Sequence, residues 1–498
     1  MAVQSRKDQV QAHLYVMGRL SSGLLRDDPD SPDTPTARTW RGVRWGALVV
    51  ALACVVTVLY GLIKPGGGTS WQTPGALVVV KDTGARYLNV GGTLHPVLNE
   101  ASARLVAGDR MTVEQAVAAS LADAPRGTPI GIVGAPDGLP EAPGAGMWAV
   151  CAGAQPVGAA GGTGPLTSVV VGGPAESGDG LGSDRGVLVT APEEGQQLVW
   201  NGRRFRVDTR HGTAAALGWA GVSPVPVSAS FLTALDAGPA LAPPEIADRG
   251  RPGPRLAGGA TRIGQLFSAG GQHYVLRTDG LAPLTGLAQR LLHGDPRTQD
   301  QAYGGRAVTE RPVGPSDLAA HQAPASAAQQ LAAGLPSSAP KVSPVDPARE
   351  QVCARVTPLA GGHTTTVALV PAAEVPGSAP DVQPGVTAAC APVDRTWVRP
   401  GTGALVRARS SAGTGNSLYL VSDSGVSYPI TAAGMKQLGY SQGAAVDVPG
   451  RLLSLLPSGP VLDPAAVSKS GVVEADAEGE GKVPPKRKQL REQCDTGS

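Results

Sequence analysis

Gly46-Ala47-Leu48-Val49-Val50-Ala51-Leu52-Ala53-Cys54-Val55-Val56-Thr57-Val58-Leu59-Tyr60-Gly61-Leu62-Ile63 contains no charge and no proline, and Thr57 is its one clearly polar side chain. At helical rise the run is about 27 Å long, close to the hydrocarbon thickness of a bilayer. In lipid every backbone N–H and C=O has to be satisfied within the segment, so this stretch is predicted to be one membrane-spanning helix. Trp40, Trp45 and Tyr60 mark its ends, where amphipathic rings favour the interface. Trp45, Leu48, Val55, Leu59 and Tyr60 are therefore the candidate anchor residues. Arg38, Arg41 and Arg44 precede the run and only Lys64 follows it closely, which places the N-terminus in the cytoplasm and the bulk of the chain outside. The charged region ahead of the run is too long for a cleaved signal peptide, and no A-x-A-like site follows Ile63.

Residues 5–25 place Val10, Leu14, Met17 and Leu24 at the three-and-four spacing of an amphipathic helix, with Arg6, Lys7, Arg19 and Arg26 as basic edges. These apolar residues are the candidate partner-docking or membrane-surface face. Pro29, Pro32 and Pro35, set among acids, read as a linker that is not helical. Glycine (68 residues) and proline (45) imply many turns, and aromatics at 4% leave the cores to Val, Leu and Ala. A net charge of +2 gives no argument for nucleic acid as a partner.

Beyond the spacer, one pattern recurs four times: strand, tight turn, strand, helix cap, short helix. The turns are Gly91-Gly92, Asn201-Gly202, Asp279-Gly280 and Ser424-Gly425, and the caps are Asn99, Asp208, Thr285 and Thr431. Glycine supplies the positive φ of tight hairpins, and the cap side chains accept from free helix N–H groups. Pro96, Pro283 and Pro429 stand just ahead of three caps, which predicts edge strands there; the second copy has Arg206 instead. Leu217-Gly218-Trp219 matches Leu438-Gly439-Tyr440, and Gly238-Pro239-Ala240-Leu241 matches Gly459-Pro460-Val461-Leu462. The region therefore reads as two halves, 76–244 and 264–464, each with a short copy and then a long one.

Cys151 falls between the first two copies and Cys353 between the last two. Equivalent positions in halves related by a pseudo-two-fold meet at the axis, which favours Cys151–Cys353, with Cys353–Cys390 as the alternative. On the favoured pairing, Cys151→Ser lowers thermal stability under non-reducing conditions and Cys390→Ser does not. The runs 154–164, 172–186, 240–258 and 293–347 read as loops or disordered insertions, and the polar tail from about 468 as disordered.

The expected fold is α+β. In order it comprises a cytoplasmic amphipathic helix (1–26), a linker (27–45), a transmembrane helix (46–63) and a spacer (64–75). Repeat module 1 (76–110), a central segment (111–186) and module 2 (187–244) form the first half. After a loop (245–263) come module 3 (264–293), a flexible insertion (294–347), a second central segment (348–410), module 4 (411–466) and the tail (467–498). No phosphate-cradling G-x-x-x-x-G-K-[ST] loop, G-x-S-x-G elbow or H-E-x-x-H helix occurs, so no catalytic, cofactor-binding or metal-ligating residue is assigned. His95 and His273 read as half-buried strand residues. The stretch Gly178–Asp184 lacks the ordered acids of a calcium turn and reads as a flexible loop.

The N-terminal helix, single span and four related modules resemble the EccB membrane component of type VII (ESX) secretion systems. Lys7-Asp8-Gln9-Val10-Gln11-Ala12, Leu94-His95-Pro96-Val97-Leu98-Asn99 and Gly131-Ile132-Val133-Gly134-Ala135-Pro136 are similar to that family, as are the Leu-Gly-aromatic and Gly-Pro-x-Leu signatures. The family pattern has two outer cysteines that pair, and Cys151 and Cys353 occupy matching positions. Cys390 departs from it, as a free thiol or part of another bridge. The resemblance implies a secretion core assembled with EccC, EccD and EccE, a mycosin protease on the outer side, and an outer domain that forms homo-oligomers. Its modules are similar to a cell-wall-binding phage-lysin fold. Family members have also been described as ATPases, so ATP hydrolysis and cell-wall anchoring stand as alternatives to a structural role.

Overall fold

Two N-terminal helices and a body of five sheets make up this computed structural model, which describes residues 6–26, 35–63, 69–141, 144, 146–157, 162–173, 180–332, 334–359, 361–380, 383–410 and 417–469. The linker at 27–34, the spacer at 64–68 with Lys64, residues 178–179 and the tail from 470 lie outside the described residues. Helix α1 spans Arg6–Arg26 and α2 spans Pro35–Ile63. The end of the expected linker is thus helical. Pro35 is compatible with this because a first-turn N–H has no intrahelical acceptor to lose.

The hairpin pattern builds four of the sheets. In the first, Ala76–Val80, Arg86–Val90 and Thr93–Pro96 are antiparallel in series, and Thr112–Ala116 lies parallel to Ala76–Val80. The third repeats that order with Leu266–Ala269, Gln272–Arg277, Gly280–Leu284 and the parallel Arg311–Pro312. The fourth does so with Ala404–Arg409, Leu418–Val421, Ser427–Ile430 and Val446–Pro449. In the second, Arg185–Ala191, Gly195–Trp200 and Arg203–Arg206 take Val225–Pro226 in the parallel place. The proline-bearing strands are sheet edges. Arg203–Arg206, which has no proline, gains a further parallel neighbour, Asp236–Ala237. A strand that keeps all its N–H groups can be paired on both sides.

Three caps form as the sequence implies. Asn99 Oδ1 accepts from Ser102 N at 3.0 Å, Thr285 Oγ1 from Ala288 N at 3.2 Å and Thr431 Oγ1 from Gly434 N at 3.0 Å. The expected cap at Asp208 is a correction. Its carboxylate accepts from Arg210 N at 2.8 Å and pairs with His211, and the helix shrinks to the turn Thr213–Ala216. The third hairpin turn also shifts by one residue: Arg277 pairs with Gly280, leaving Thr278-Asp279 as the loop. Asn201 (φ 47°) and Gly202 (φ 70°) form the left-handed turn expected of Asn-Gly.

A fifth sheet joins the halves. The hairpins Trp148–Val157/Gly162–Val171 and Glu350–Leu359/Gly362–Pro371 lie side by side, with Trp148–Val157 antiparallel to Glu350–Leu359 and Arg395–Val398 added at one edge. Much of the expected loop at 154–164 is therefore strand. Trp148, Val150 and Ala152 face a large core shared with the second and fourth sheets, while Ala149 and Cys151 face the opposite side, as the two-residue period requires. The expected flexible insertion also folds. It holds helices Pro315–Ala320 and Ala325–Ala332 and buries Ala327 and Leu331 in the third core. Residues 240–258 are irregular but bury Leu241, Ile246 and Leu256. Apolar side chains spaced among Gly, Pro and Ala suffice to hold irregular chain on a core.

The Gly-Pro-x-Leu signatures have a steric basis. A Cβ on Gly459 would lie 2.2 Å from the Tyr428 ring, and one on Gly238 would lie 2.4 Å from the Phe205 ring. Leu462 and Leu241, which end the two signatures, are buried and bridge the preceding strand at Ile430 and Val207. Gly459→Ala is expected to destabilise the fourth unit by about 1–3 kcal/mol through overpacking. A thermal melt of the variant checks this, and an unchanged midpoint would mean that the aromatic ring yields freely.

Candidate functional sites

The apolar segment of α2 buries none of its side chains in the rest of the protein over Thr39–Tyr60. Trp45, Leu48, Val55, Leu59 and Tyr60 are all exposed, Val55 at 54%. Thr57 Oγ1 donates to the carbonyls of Ala53 and Cys54, both at 2.9 Å, so the one polar side chain is satisfied inside the helix. A 22-residue stretch of helix with its large apolar side chains outward and the Thr57 hydroxyl internally bonded suits a hydrocarbon environment.

On α1, Val10, Leu14, Met17 and Leu24 are likewise exposed, Leu14 at 65% and Leu24 at 87%. Leu20 shares their face. Tyr15 and Val16 are exposed as well and widen the apolar surface beyond the face expected from the sequence.

Cys151 and Cys353 are directly opposite in the central sheet and are joined by a disulfide, with Cα atoms 4.0 Å apart and both side chains buried. The alternative Cys353–Cys390 bridge is thereby excluded. Cys390 is not a free thiol either: it is disulfide-bonded, with a partner outside the described residues. The expectation that Cys390→Ser is silent is accordingly withdrawn.

Packing brings the units together in pairs. Ala101 and Leu105 of helix Glu100–Ala107 in the first unit share a core with Tyr428, Met435, Leu438 and Leu462 of the fourth unit. Leu287 and Leu291 of helix Gly286–His293 in the third unit share one with Leu198, Phe205 and Trp219 of the second. Tyr440 Oη donates to the Pro140 carbonyl at 2.8 Å, and burial pushes its pKa upward. At the second–third contact, Leu217, Trp219, Val222, Arg290 and Lys341 line a cleft of about 540 Å³. No sequence pattern marks this cleft, because its walls come from units far apart in the chain.

The sequence also gave no warning of the buried charges. Arg249 and Asp295 pair with almost no exposure (side chains 4% and 0%), and Arg297 Nε donates to the same carboxylate at 3.2 Å. Asp447 is held by Arg407 at 2.9 Å and Arg409 at 3.0 Å. Burial opposes both carboxylate charges, but the arginine hydrogen bonds outweigh it and hold both pKa values below the usual range. His95 and His273 are half-buried strand residues; Nδ1 of His95 lies 2.8 Å from the Thr128 carbonyl, and that of His273 lies 2.9 Å from Glu310. Among the described residues no three His, Cys, Asp or Glu side chains cluster as a metal site would need.

The family model described as "Type VII secretion system ESX-1, transport TM domain B" matches residues 3–473. A relative named "ESX-3 secretion system ATPase EccB3", from Mycolicibacterium smegmatis, is 30% identical over 92% of this chain and 89% of its own length. An "ESX-2 secretion system ATPase EccB2" from Mycobacterium tuberculosis is 29% identical over 92% and 93%. Among solved structures, an EccB3 dimer from an ESX-3 core complex matches at a TM-score of 0.58 and 25% identity, over 79% of this chain and 99% of that one. A chain of an intact ESX-5 inner membrane complex shares the fold at a TM-score of 0.60 and 23% identity, over 98% of both chains.

Proposed function

The chain belongs to the EccB family of type VII (ESX) secretion components, and we propose from that premise that it is a structural and assembly subunit of such a machine. The observation that carries this reading is the family match across residues 3–473, which takes in α1, α2 and the whole body. In this role α2 anchors the chain through Trp45, Leu48, Val55, Leu59 and Tyr60, with α1 inside the cell and the body outside. The apolar face of α1 docks on cytoplasmic or membrane components of the machine, for which EccC, EccD and EccE are the candidates. The body forms homo-oligomers and offers the outer surface to a mycosin protease. The dimer described for the EccB3 relative supports the oligomer.

We further read the four hairpin units as copies of one ancestral module arranged about a pseudo-two-fold at the central disulfide. A shift by the 202 residues that separate Cys151 from Cys353 carries the Val150–Ala354 pair onto Val352–Ala152. The pairing of the first unit with the fourth, and of the third with the second, follows the same exchange.

Co-purification from detergent-solubilised membranes tests the role. The full-length chain is expected to bring down an FtsK-like ATPase and a polytopic membrane protein. Leu14→Asp with Met17→Asp is expected to cut that recovery at least tenfold while the melting temperature of the body stays the same. ATP turnover by the purified chain, abolished by a defined point change, would instead favour the hydrolase that the relatives' names suggest. Retention of the body on purified cell wall would favour an anchor. Orientation is checked separately: protease added to intact spheroplasts is expected to degrade the body and spare α1, and protection of the body would reverse the topology.

A further inference from the structure

We propose that the body pairs with a second copy of this chain through the free edge of its first sheet, the strand Thr112–Ala116. Each of the four hairpin sheets adds a parallel strand in this place, and three of them protect it. Val225–Pro226 and Arg311–Pro312 are two residues long and end in proline. Val446–Pro449 also ends in proline and lies against the central hairpin Glu350–Leu359/Gly362–Pro371. Proline, shortness and cover are common means of keeping an edge from pairing. Thr112-Val113-Glu114-Gln115-Ala116 is five residues long, holds no proline and has no strand on its outer side. At 60% exposure, Val113 is the most exposed large apolar side chain of the body among the described residues.

Backbone direction sets what this edge offers. Lys81 N donates to the Ala116 carbonyl at 3.0 Å across the parallel pair, so Ala116 turns its polar groups inward. By the alternation of a strand, Thr112 and Glu114 do the same, while Val113 and Gln115 turn theirs outward. Outside the sheet, no hydrogen bond among the described residues reaches the N–H or C=O of either.

Two copies related by a two-fold axis can pair this strand antiparallel with itself, an isologous contact. With the axis at Val113, the two valines face each other and exchange both backbone hydrogen bonds. Gln115 N–H then donates to the Met111 carbonyl of the second copy, and the Thr112 hydroxyl stands beside the Glu114 carboxylate as a donor. Moving the axis to Glu114 sets two carboxylates opposite each other, which disfavours that register. The axis at Val113 joins two four-stranded sheets into one and covers the exposed valine. The inference rests on the homo-oligomer proposed above and deepens it, because it names the surface on which two copies meet.

Light scattering during size-exclusion chromatography of the detergent-solubilised full-length chain tests it. The parent is expected to run as an even number of chains. Val113→Lys, which sets two cations face to face, is expected to halve the particle mass and leave the melting temperature of the body unchanged. Gln115→Pro is expected to halve it too, because it removes an N–H that the chain's own sheet does not use. Val113→Cys in a Cys54→Ala background is expected, on mild oxidation, to give tryptic peptide 111–126 linked to a second copy of itself. Facing Cα atoms in such a hydrogen-bonded pair are about 5.5 Å apart, within reach of a disulfide. A parent of several chains whose mass survives either of the first two substitutions, or whose peptide 111–126 joins none of its own kind, overturns the proposal and leaves the oligomer standing. A parent that is a single chain at every concentration removes the oligomer as well.

Discussion

Cys151→Ser combined with Cys353→Ser is expected to lower the melting temperature of the body by roughly 2–6 °C under non-reducing conditions. The two residues are 202 apart in sequence, so the bridge closes a long loop in the unfolded chain. In the chain-entropy account such a loop corresponds to about 5 kcal/mol, and measured losses for native bridges run from about 2 to 5 kcal/mol. The location adds a specific consequence. The bridge crosses the two strands where one half of the chain pairs with the other, and its far side carries only a small cluster with Ala149, Val170, Ala368 and Val370. Either single substitution leaves one buried thiol with no partner, so each single variant should fall almost as far as the double, and the effects should not add. Comparison of the three variants by calorimetry checks this. A double variant that melts within a degree of the parent would show that the shared core of Trp148, Val150, Ala354 and Val356 holds the halves together unaided.

That bridge was legible in the sequence because duplication supplied a symmetry argument that composition alone could not. The hairpins and three of the four caps were legible for a related reason: Asn-Gly turns, prolines ahead of caps and cap side chains are local signals, fixed by backbone geometry within a few residues. The parallel fourth strands were not. Thr112–Ala116 and Arg311–Pro312 are short, and what pairs them is a return of the chain after a helix, which leaves no local mark. Asp208 failed as a cap because His211 and Arg210 offered its carboxylate nearer partners than a helix N-terminus. The largest miss was residues 294–347, where many Gly, Pro, Ala and polar residues suggested an unstructured insertion. The segment folds because a few residues in it, Asp295 and Leu331 among them, are held by distant parts of the chain. The apolar faces of α1 and α2 had the opposite character, since their helical period and lack of charge were plain without any partner in view.

Asp295→Asn tests that last point and is expected to cost about 3–5 kcal/mol, the usual penalty when one member of a buried ion pair loses its charge. Asparagine keeps the shape, so the loss reports charge and hydrogen bonding rather than a cavity. Arg249 would remain buried with only Thr298 Oγ1 at 3.0 Å and the Pro244 carbonyl at 3.2 Å as neutral acceptors. The oxygen that asparagine retains can still accept from Arg297, which also keeps Glu245, while the amide NH2 faces Arg249 in place of the second carboxylate oxygen. The pH dependence carries a sign that distinguishes this pair from simple packing. The folded-state pKa of Asp295 is depressed below its unfolded value of 3.8, so the pair's contribution is complete above about pH 4 and is lost as pH falls through the depressed value. Asp447, with Arg407 and Arg409, follows the same direction. The parent protein should therefore lose melting temperature steeply below pH 4, and Asp295→Asn should lose less over that range because part of the loss has already been taken. A variant whose curve runs parallel to the parent's down to pH 3 would show that folding does not depress the pKa of Asp295, and with it the charge-based account of why this segment folds would fall.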